Sequence, residues 1–172
     1  QGYAPNCTGK AVWFPGHTGI YSVTVGIEEQ IIESNSYDNA TAWSCLGWSG
    51  GVRKQTMQEF LGASCGFYLG ARRKPGATAE QQRSALDYAA QRLGKGYSAV
   101  GQGIRENCYS CDGLVEAGYD HANASIIPES EQLPFITPLG QFQKTVPVSE
   151  IDVKVGECIQ IPVKAIQKIV AP

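Results

Sequence analysis

The sequence contains little of what several broad classes of protein require. Its 172 residues hold no apolar run of the roughly 20 residues that span a bilayer, so we expect no integral membrane segment. Lys and Arg number 14 against 16 Asp and Glu, and they are scattered apart from Arg72, Arg73 and Lys74. A nucleic-acid partner is therefore not expected, because it would need a clustered basic surface.

Histidine is scarce as well, since the chain has only His17 and His121. It starts at Gln1 without a Met or a charged and apolar leader, which we interpret as a processed N-terminus. We predict no bound metal and no cofactor, and we expect a monomer.

Cysteine, in contrast, is plentiful. The six cysteines are Cys7, Cys45, Cys65, Cys108, Cys111 and Cys158. Three asparagines lie in Asn-x-Ser/Thr sequons and are candidate glycosylation sites, namely Asn6, Asn39 and Asn123. Because disulfides persist in oxidising compartments, both features favour a secreted, extracellular protein. Chance sequons in a bacterial protein are the alternative.

The pattern of apolar residues predicts an α+β fold in one domain over residues 1–172, with a small antiparallel sheet or half-barrel packed against helices. Residues 18–25 and 30–34 are typical of a β-hairpin. Residues 37–51 predict a loop, whose tryptophans Trp43 and Trp48 either cap the core or line a cleft. Further strands are predicted over the C-terminal residues 151–155, 158–163 and 165–170.

Two helices are predicted, each with a capping residue. Residues 78–93 form the first, where Thr78 and Gln81 make a capping box and Gly94 follows the end. Its inward face comprises Ala85, Tyr88, Ala89 and Leu93. A loop over 94–103 precedes the second helix, which is capped by Ser110 and turns Leu114, Val115 and Tyr119 inward.

Cys111 falls in the first turn of that second helix. Unpaired N–H groups and the positive end of the helix dipole there favour a thiolate over a thiol, which makes Cys111 a candidate nucleophile. A hydrolase also needs a base. His121 lies at the other end of the same helix, about 15 Å away at 1.5 Å per residue, so His17 is the candidate base.

The local sequence resembles a known family at both positions. Residues 111–115, Cys-Asp-Gly-Leu-Val, resemble the Cys-Ser-Gly-Leu-Val nucleophile motif of the NlpC-type papain-like cysteine hydrolases. Residues 16–21, Gly-His-Thr-Gly-Ile-Tyr, resemble their histidine strand. Because the histidine precedes the cysteine here, the order is similar to that of the circularly permuted branch, which includes YiiX-like and lecithin-retinol acyltransferase-like proteins. Residues 94–97 and 153–159 resemble the family's flanking loop and strand entry.

The resemblance implies a polar residue on the return strand that orients the histidine. Glu33 is the candidate, and Asn35 and Asp38 are alternatives. A further interpretation is that Glu33 is an exposed carboxylate on an edge strand and does not orient the histidine. The backbone N–H of Cys111 is expected to contribute to an oxyanion hole, with Tyr97 or another donor from the loop as a second contributor.

Cys108 and Cys111 form a Cys-x-x-Cys pair whose closure as a disulfide would silence the nucleophile. We predict that Cys111 is free, because only Cys111 matches the motif.

The resemblance implies a secreted cysteine amidase or peptidase that cleaves small peptides or peptidoglycan fragments through a thioester. Two alternatives remain: an acyltransferase or lipid esterase of the same fold, and a catalytically silent binding or toxin-like module that uses the Trp43–Trp48 loop.

Overall fold

A computed structural model describes residues 17–22, 30–36, 45, 49–56, 59–60, 71–98, 107–132 and 136–148. Its strands are β1 Gly19–Ser22, β2 Gln30–Asn35, β3 Gly51–Thr56, β4 Arg72–Arg73, β5 Gly96–Tyr97, β6 Cys108–Tyr109 and β7 Val146–Pro147. Its helices are α1 Ala79–Ala90, α2 Cys111–His121 and α3 Pro138–Lys144, with a short 3-10 turn at Glu129–Glu131. This arrangement confirms the predicted α+β class for the described part of the chain.

The predicted hairpin is present as the antiparallel pair β1 and β2. Ile20 and Tyr21 of β1 and Ile31 and Ile32 of β2 are residues that favour strands, and Ile20 lies opposite Ile32 in the register. Strand β3 continues the sheet on the other side of β2, with Val52 opposite Ser34. Because side chains alternate along a strand, Ile20, Ile32 and Val52 share one face of these three strands.

The main sheet has the strand order β1-β2-β3-β5-β6 and curls as a half-barrel. It is mixed, because β5 and β6 run parallel while the other neighbours are antiparallel. The predicted half-barrel is present, and the predicted antiparallel pairing holds for β1–β2, β2–β3 and β3–β5 but not for β5–β6. The prediction of a loop over 94–103 was also wrong in part, since Gly96–Tyr97 forms β5 between β3 and β6. A glycine at position 51 permits this pairing, because a Cβ there would lie 2.2 Å from the Lys95 carbonyl oxygen.

Helix α1 begins at the predicted cap. The Thr78 hydroxyl accepts from the N–H of Gln81, and the Gln81 amide oxygen accepts from the N–H of Thr78, which completes the capping box. Ala85 and Ala89 are buried as predicted. Leu93 is not part of the inward face: the helix ends at Ala90, and the Leu93 side chain is 44% exposed. A turn over 91–94 ends the segment, with Gly94 at φ +82°.

Helices α1 and α2 pack against each other and against the face of the sheet that carries Ile20 and Ile32. Leu114 and Val115 of α2 are buried, and Tyr119 packs against the same core, as predicted. Close approach of the two helices depends on Gly118, where a Cβ would lie 2.9 Å from the Ala85 carbonyl oxygen. The core therefore fixes where α2 starts relative to β1 and β2.

A second, smaller sheet is formed by β4 and β7, which pair antiparallel, while α3 contacts α2. Arg72 joins this sheet to α3, because its guanidinium stacks 3.9 Å from the centroid of the Phe142 ring and donates to Thr145.

Several predictions fall outside the described residues. These are the C-terminal strands, the tryptophans Trp43 and Trp48, the candidate Asp38, and the sequons at Asn6 and Asn39. Asn123 is described: it is exposed and has a left-handed φ of 53°, which asparagine tolerates better than most residues.

Candidate functional site

Cys111 is the first residue of α2, as the sequence predicts. Ser110 is the N-cap, in extended conformation, and its hydroxyl accepts from the N–H of Gly113 at 3.0 Å. The Cys111 side chain is buried, with 8% of its surface exposed. Its sulfur thus lies at the positive end of a helix dipole and is shielded from bulk water.

The thiol of Cys111 is free. Cys108 forms a disulfide with Cys45 instead, with 6.0 Å between the Cα atoms. This pairing removes the alternative in which Cys108 closes onto Cys111. It also fixes β6, the strand that leads into α2, to residue 45, which is 63 positions earlier in the chain.

His17 and Glu33 form the second part of the site. The Nε2 atom of His17 is hydrogen-bonded to Oε2 of Glu33, and the carboxylate is 1% exposed. The sheet brings them together because Glu33 lies opposite Gly19, two residues after His17, so an extended chain carries His17 to the same face. Of the orienting candidates on the return strand, Glu33 therefore contacts the imidazole, whereas Asn35 pairs with Gly51 on β3.

His17 also lies within hydrogen-bonding reach of Cys111, and its electrostatic surroundings favour a charged ring. Burial lowers the pKa of His17, but hydrogen bonds to Cys111 and Glu33 and the negative charges of both outweigh this effect and raise it to about 9. At neutral pH the imidazole is therefore protonated between two acidic partners. The ring of Phe60 packs against the imidazole at a tilt of 32°, with 5.4 Å between the two centroids.

The carboxylate of Glu33 has a second partner, Arg53. Nε of Arg53 donates to Oε1 of Glu33 at 2.7 Å, and Nη2 lies 2.7 Å from the same oxygen as an ion pair, while Oε2 contacts His17. Burial raises the pKa of Glu33, but the hydrogen bonds and charges of His17 and Arg53 prevail, so the net pKa is lowered. Arg53 was not predicted from the sequence. The available signal was its position as a charged residue directly after the apolar Val52 in a strand.

Tyr97 lies beside the nucleophile. Burial raises the pKa of its phenol, and the negative charges of Cys111 and Asp112 raise it further, so the phenol stays protonated near neutral pH. The backbone N–H of Tyr97 donates to the Gly50 carbonyl at 3.1 Å. The backbone N–H of Tyr97 is therefore engaged in the sheet.

Asp112 and Gln141 hold the first turn of α2. Oδ1 of Asp112 lies 3.9 Å from the Cys111 sulfur and accepts from the N–H of Gly113 at 3.0 Å. The Gln141 amide nitrogen, from α3, donates to the Asp112 carbonyl at 2.9 Å and to the buried carboxylate of Glu116 at 3.0 Å. Neither Gln141 nor Glu116 was singled out from the sequence, since their contacts depend on how α3 packs.

His121 lies in the last turn of α2, ten positions after Cys111, and its ring packs 4.9 Å from that of Tyr88. Of the two histidines, His17 is thus the one that the fold brings to Cys111.

Within the described residues, no group of three or more His, Cys, Asp or Glu side chains could hold a metal ion. None of the helices in that part of the chain is long and apolar enough to cross a membrane.

No protein-family model, no curated protein and no solved structure matches the chain.

Proposed function

We propose that the protein is a cysteine hydrolase in which Cys111 is the nucleophile, His17 the general acid and base, and Glu33 the group that orients the imidazole. One observation carries the proposal: a free thiol at the start of a helix shares a protonated histidine with a buried carboxylate. Acyl-transfer sites in unrelated folds use the same order of contacts, in which the nucleophile bonds to the base and the base bonds to an orienting group.

The first step forms an acyl-enzyme. The Cys111 thiolate attacks the carbonyl carbon of an amide, which creates a C–S bond and places negative charge on the carbonyl oxygen. Protonated His17 then gives its proton to the leaving nitrogen, the C–N bond breaks, and an amine departs. The products of this step are a thioester on Cys111 and a neutral imidazole.

The second step releases the acid. Neutral His17 accepts a proton from water as the water oxygen attacks the thioester carbon. The C–S bond then breaks, the carboxylic acid leaves, and Cys111 regains its thiolate beside a protonated His17. Throughout the cycle, the Nε2 contact with Glu33 keeps the imidazole in one orientation.

Negative charge on the carbonyl oxygen needs hydrogen-bond donors. The N–H of Gly113 donates to Ser110 and Asp112, so it is committed within the helix. We assign the role to the N–H of Cys111 and to the Tyr97 hydroxyl, which faces the same sulfur. A single such donor is worth roughly 10²-fold or more in rate.

The resemblance to the permuted NlpC-type hydrolases supplies the proposed substrate. We propose a secreted amidase or peptidase that acts on small peptides or on the amide bonds of peptidoglycan fragments, including γ-D-glutamyl linkages. The disulfide between Cys45 and Cys108 supports an oxidising location. The free thiol of Cys111 beside His17 counts against a catalytically silent module.

The test is digestion of purified peptidoglycan by the wild-type protein and by the variants Cys111→Ala and His121→Ala. Mass spectrometry of the soluble products should show new peptides with the wild type and with His121→Ala, which alters the histidine away from the site, but none with Cys111→Ala. Release of fatty acid from phospholipid vesicles instead would support the esterase alternative. Equal product with Cys111→Ala would contradict the assignment of the nucleophile.

A further inference from the structure

Arg53 and His17 divide the two oxygens of Glu33 between them. Nε of Arg53 donates to Oε1 at 2.7 Å and Nη2 of Arg53 lies 2.7 Å from the same oxygen, while His17 bonds to Oε2. The register of β2 and β3 produces the contact between Arg53 and Glu33, because these two residues lie directly opposite each other. Residues opposite each other across antiparallel strands have Cβ atoms only about 5 Å apart.

The burial of Glu33 makes this contact important. With 1% of its surface exposed, the carboxylate has almost no water to stabilise its charge. Such a group becomes neutral unless cations or hydrogen-bond donors replace the lost water. A neutral Glu33 could no longer accept the bond from protonated His17 as an anion, and the imidazole would lose its orienting partner.

We propose that Arg53 is a positioning residue, which keeps Glu33 ionised and in a single orientation and thereby orients His17 towards Cys111. Arg53 itself is 38% exposed on its side chain and acts through Glu33, not on the nucleophile. The inference rests on the proposed function in one respect, namely that His17 serves Cys111.

Other charged groups around this chain of contacts are few among the described residues. His17 faces Cys111 of α2, and Asp112 and Tyr97 adjoin that sulfur. Arg53 also lies near Glu59, whose pKa is lowered chiefly by hydrogen bonds from Thr56 and in part by the charge of Arg53. Glu59 is fully exposed, so water screens it far more than it screens Glu33.

The experiment measures the protonation of Glu33 directly and needs no substrate. The ¹³C signal of the Glu33 side-chain carboxyl is followed from pH 2 to pH 8 in the wild type and in Arg53→Gln, Arg53→Lys and Lys54→Gln. The ¹⁵N signals of the His17 ring are recorded in the same samples. Lys54 is the matched control, because it is the next residue of β3 and is exposed.

We expect the Glu33 midpoint in Arg53→Gln to rise by about 1–3 pH units, the range by which a neighbouring cation depresses a carboxyl pKa. The His17 ring signals should change at that same raised pH, since the ring loses its partner when Glu33 becomes neutral. Arg53→Lys keeps the charge but offers one nitrogen in place of two, so its midpoint should lie between those of the wild type and Arg53→Gln. Lys54→Gln should match the wild type.

A Glu33 midpoint in Arg53→Gln equal to that of the wild type would overturn the proposal. A raised midpoint without a matching change in the His17 ring would overturn it too, since Arg53 would then act on Glu33 alone. If Arg53→Gln does not fold, Arg53→Lys decides: a midpoint equal to the wild-type value would overturn the proposal, and a raised one supports it. Absence of hydrolysis in the peptidoglycan assay would leave this result unaffected.

Discussion

Gly19 lies directly opposite Glu33 in the register of β1 and β2. A Cβ at Gly19 would lie 2.7 Å from Cγ2 of Ile31 and 3.3 Å from Cε2 of Phe60, so the close packing at this point of the strand requires a glycine. His17 lies two residues before Gly19, on the same side of the sheet as Glu33, and its Nε2 bonds to Oε2 of Glu33.

Replacement of Glu33 by Gln tests the charge in that contact. Gln keeps a hydrogen-bonding oxygen but removes the negative charge, so the pKa of His17 should fall below its value of about 9. A ¹H–¹⁵N NMR titration of the His17 ring measures this shift, with Asn35→Asp on the same strand as a control. A pKa that stays near 9 in Glu33→Gln would mean that Cys111 alone holds the proton on His17.

The protonation of His17 also makes stability depend on pH. Its pKa is about 9 in the folded protein, against an ordinary histidine pKa of 6.5, so the folded state binds the proton more tightly. The resulting stabilisation is fully present below about pH 6.5 and is lost as pH rises through about 9. Urea unfolding of the wild type and of His17→Gln should therefore differ most near pH 6, on the order of 1–3 kcal/mol, and converge above pH 9. A difference that is constant from pH 6 to pH 10 would contradict the protonated His17.

The disulfide between Cys45 and Cys108 should contribute substantially to stability. It closes a loop with a sequence separation of 63, for which the chain-entropy estimate is about 4 kcal/mol. The double variant Cys45→Ser/Cys108→Ser should lose stability of that order in urea unfolding. Cys111→Ser, which alters a free thiol, should change it much less. Equal losses in both variants would show that the disulfide is not formed.

Local signals in the sequence were enough to predict much of the fold. Thr78 and Gln81 define the start of α1, and Ser110 that of α2, because a helix cap needs only residues within one turn. The β1–β2 hairpin follows from the β-branched and aromatic residues that flank the turn. The same reasoning predicts that Cys111 begins a helix, and the structure confirms this position.

The remaining features depend on contacts between distant residues. Strand β5 has two residues, too few to show periodicity, and its parallel pairing with β6 is set by how the chain returns after α1. The partner of Cys108 could not be chosen from the sequence, since cysteine spacing does not determine connectivity. Arg53 escaped notice because its role depends on a register in which it faces Glu33.

The central claim is that His17 activates the free thiol of Cys111. Its most direct test is the rate of iodoacetamide labelling of Cys111 between pH 4 and pH 10 without reductant, in the wild type and in His17→Ala, followed by peptide mass spectrometry. Near pH 6 the wild type should be labelled at least about tenfold faster, because the protonated imidazole of His17 would favour the reactive thiolate of Cys111 over the thiol. Identical pH profiles in the two proteins, or a Cys111 that cannot be labelled because it is already paired, would contradict the account.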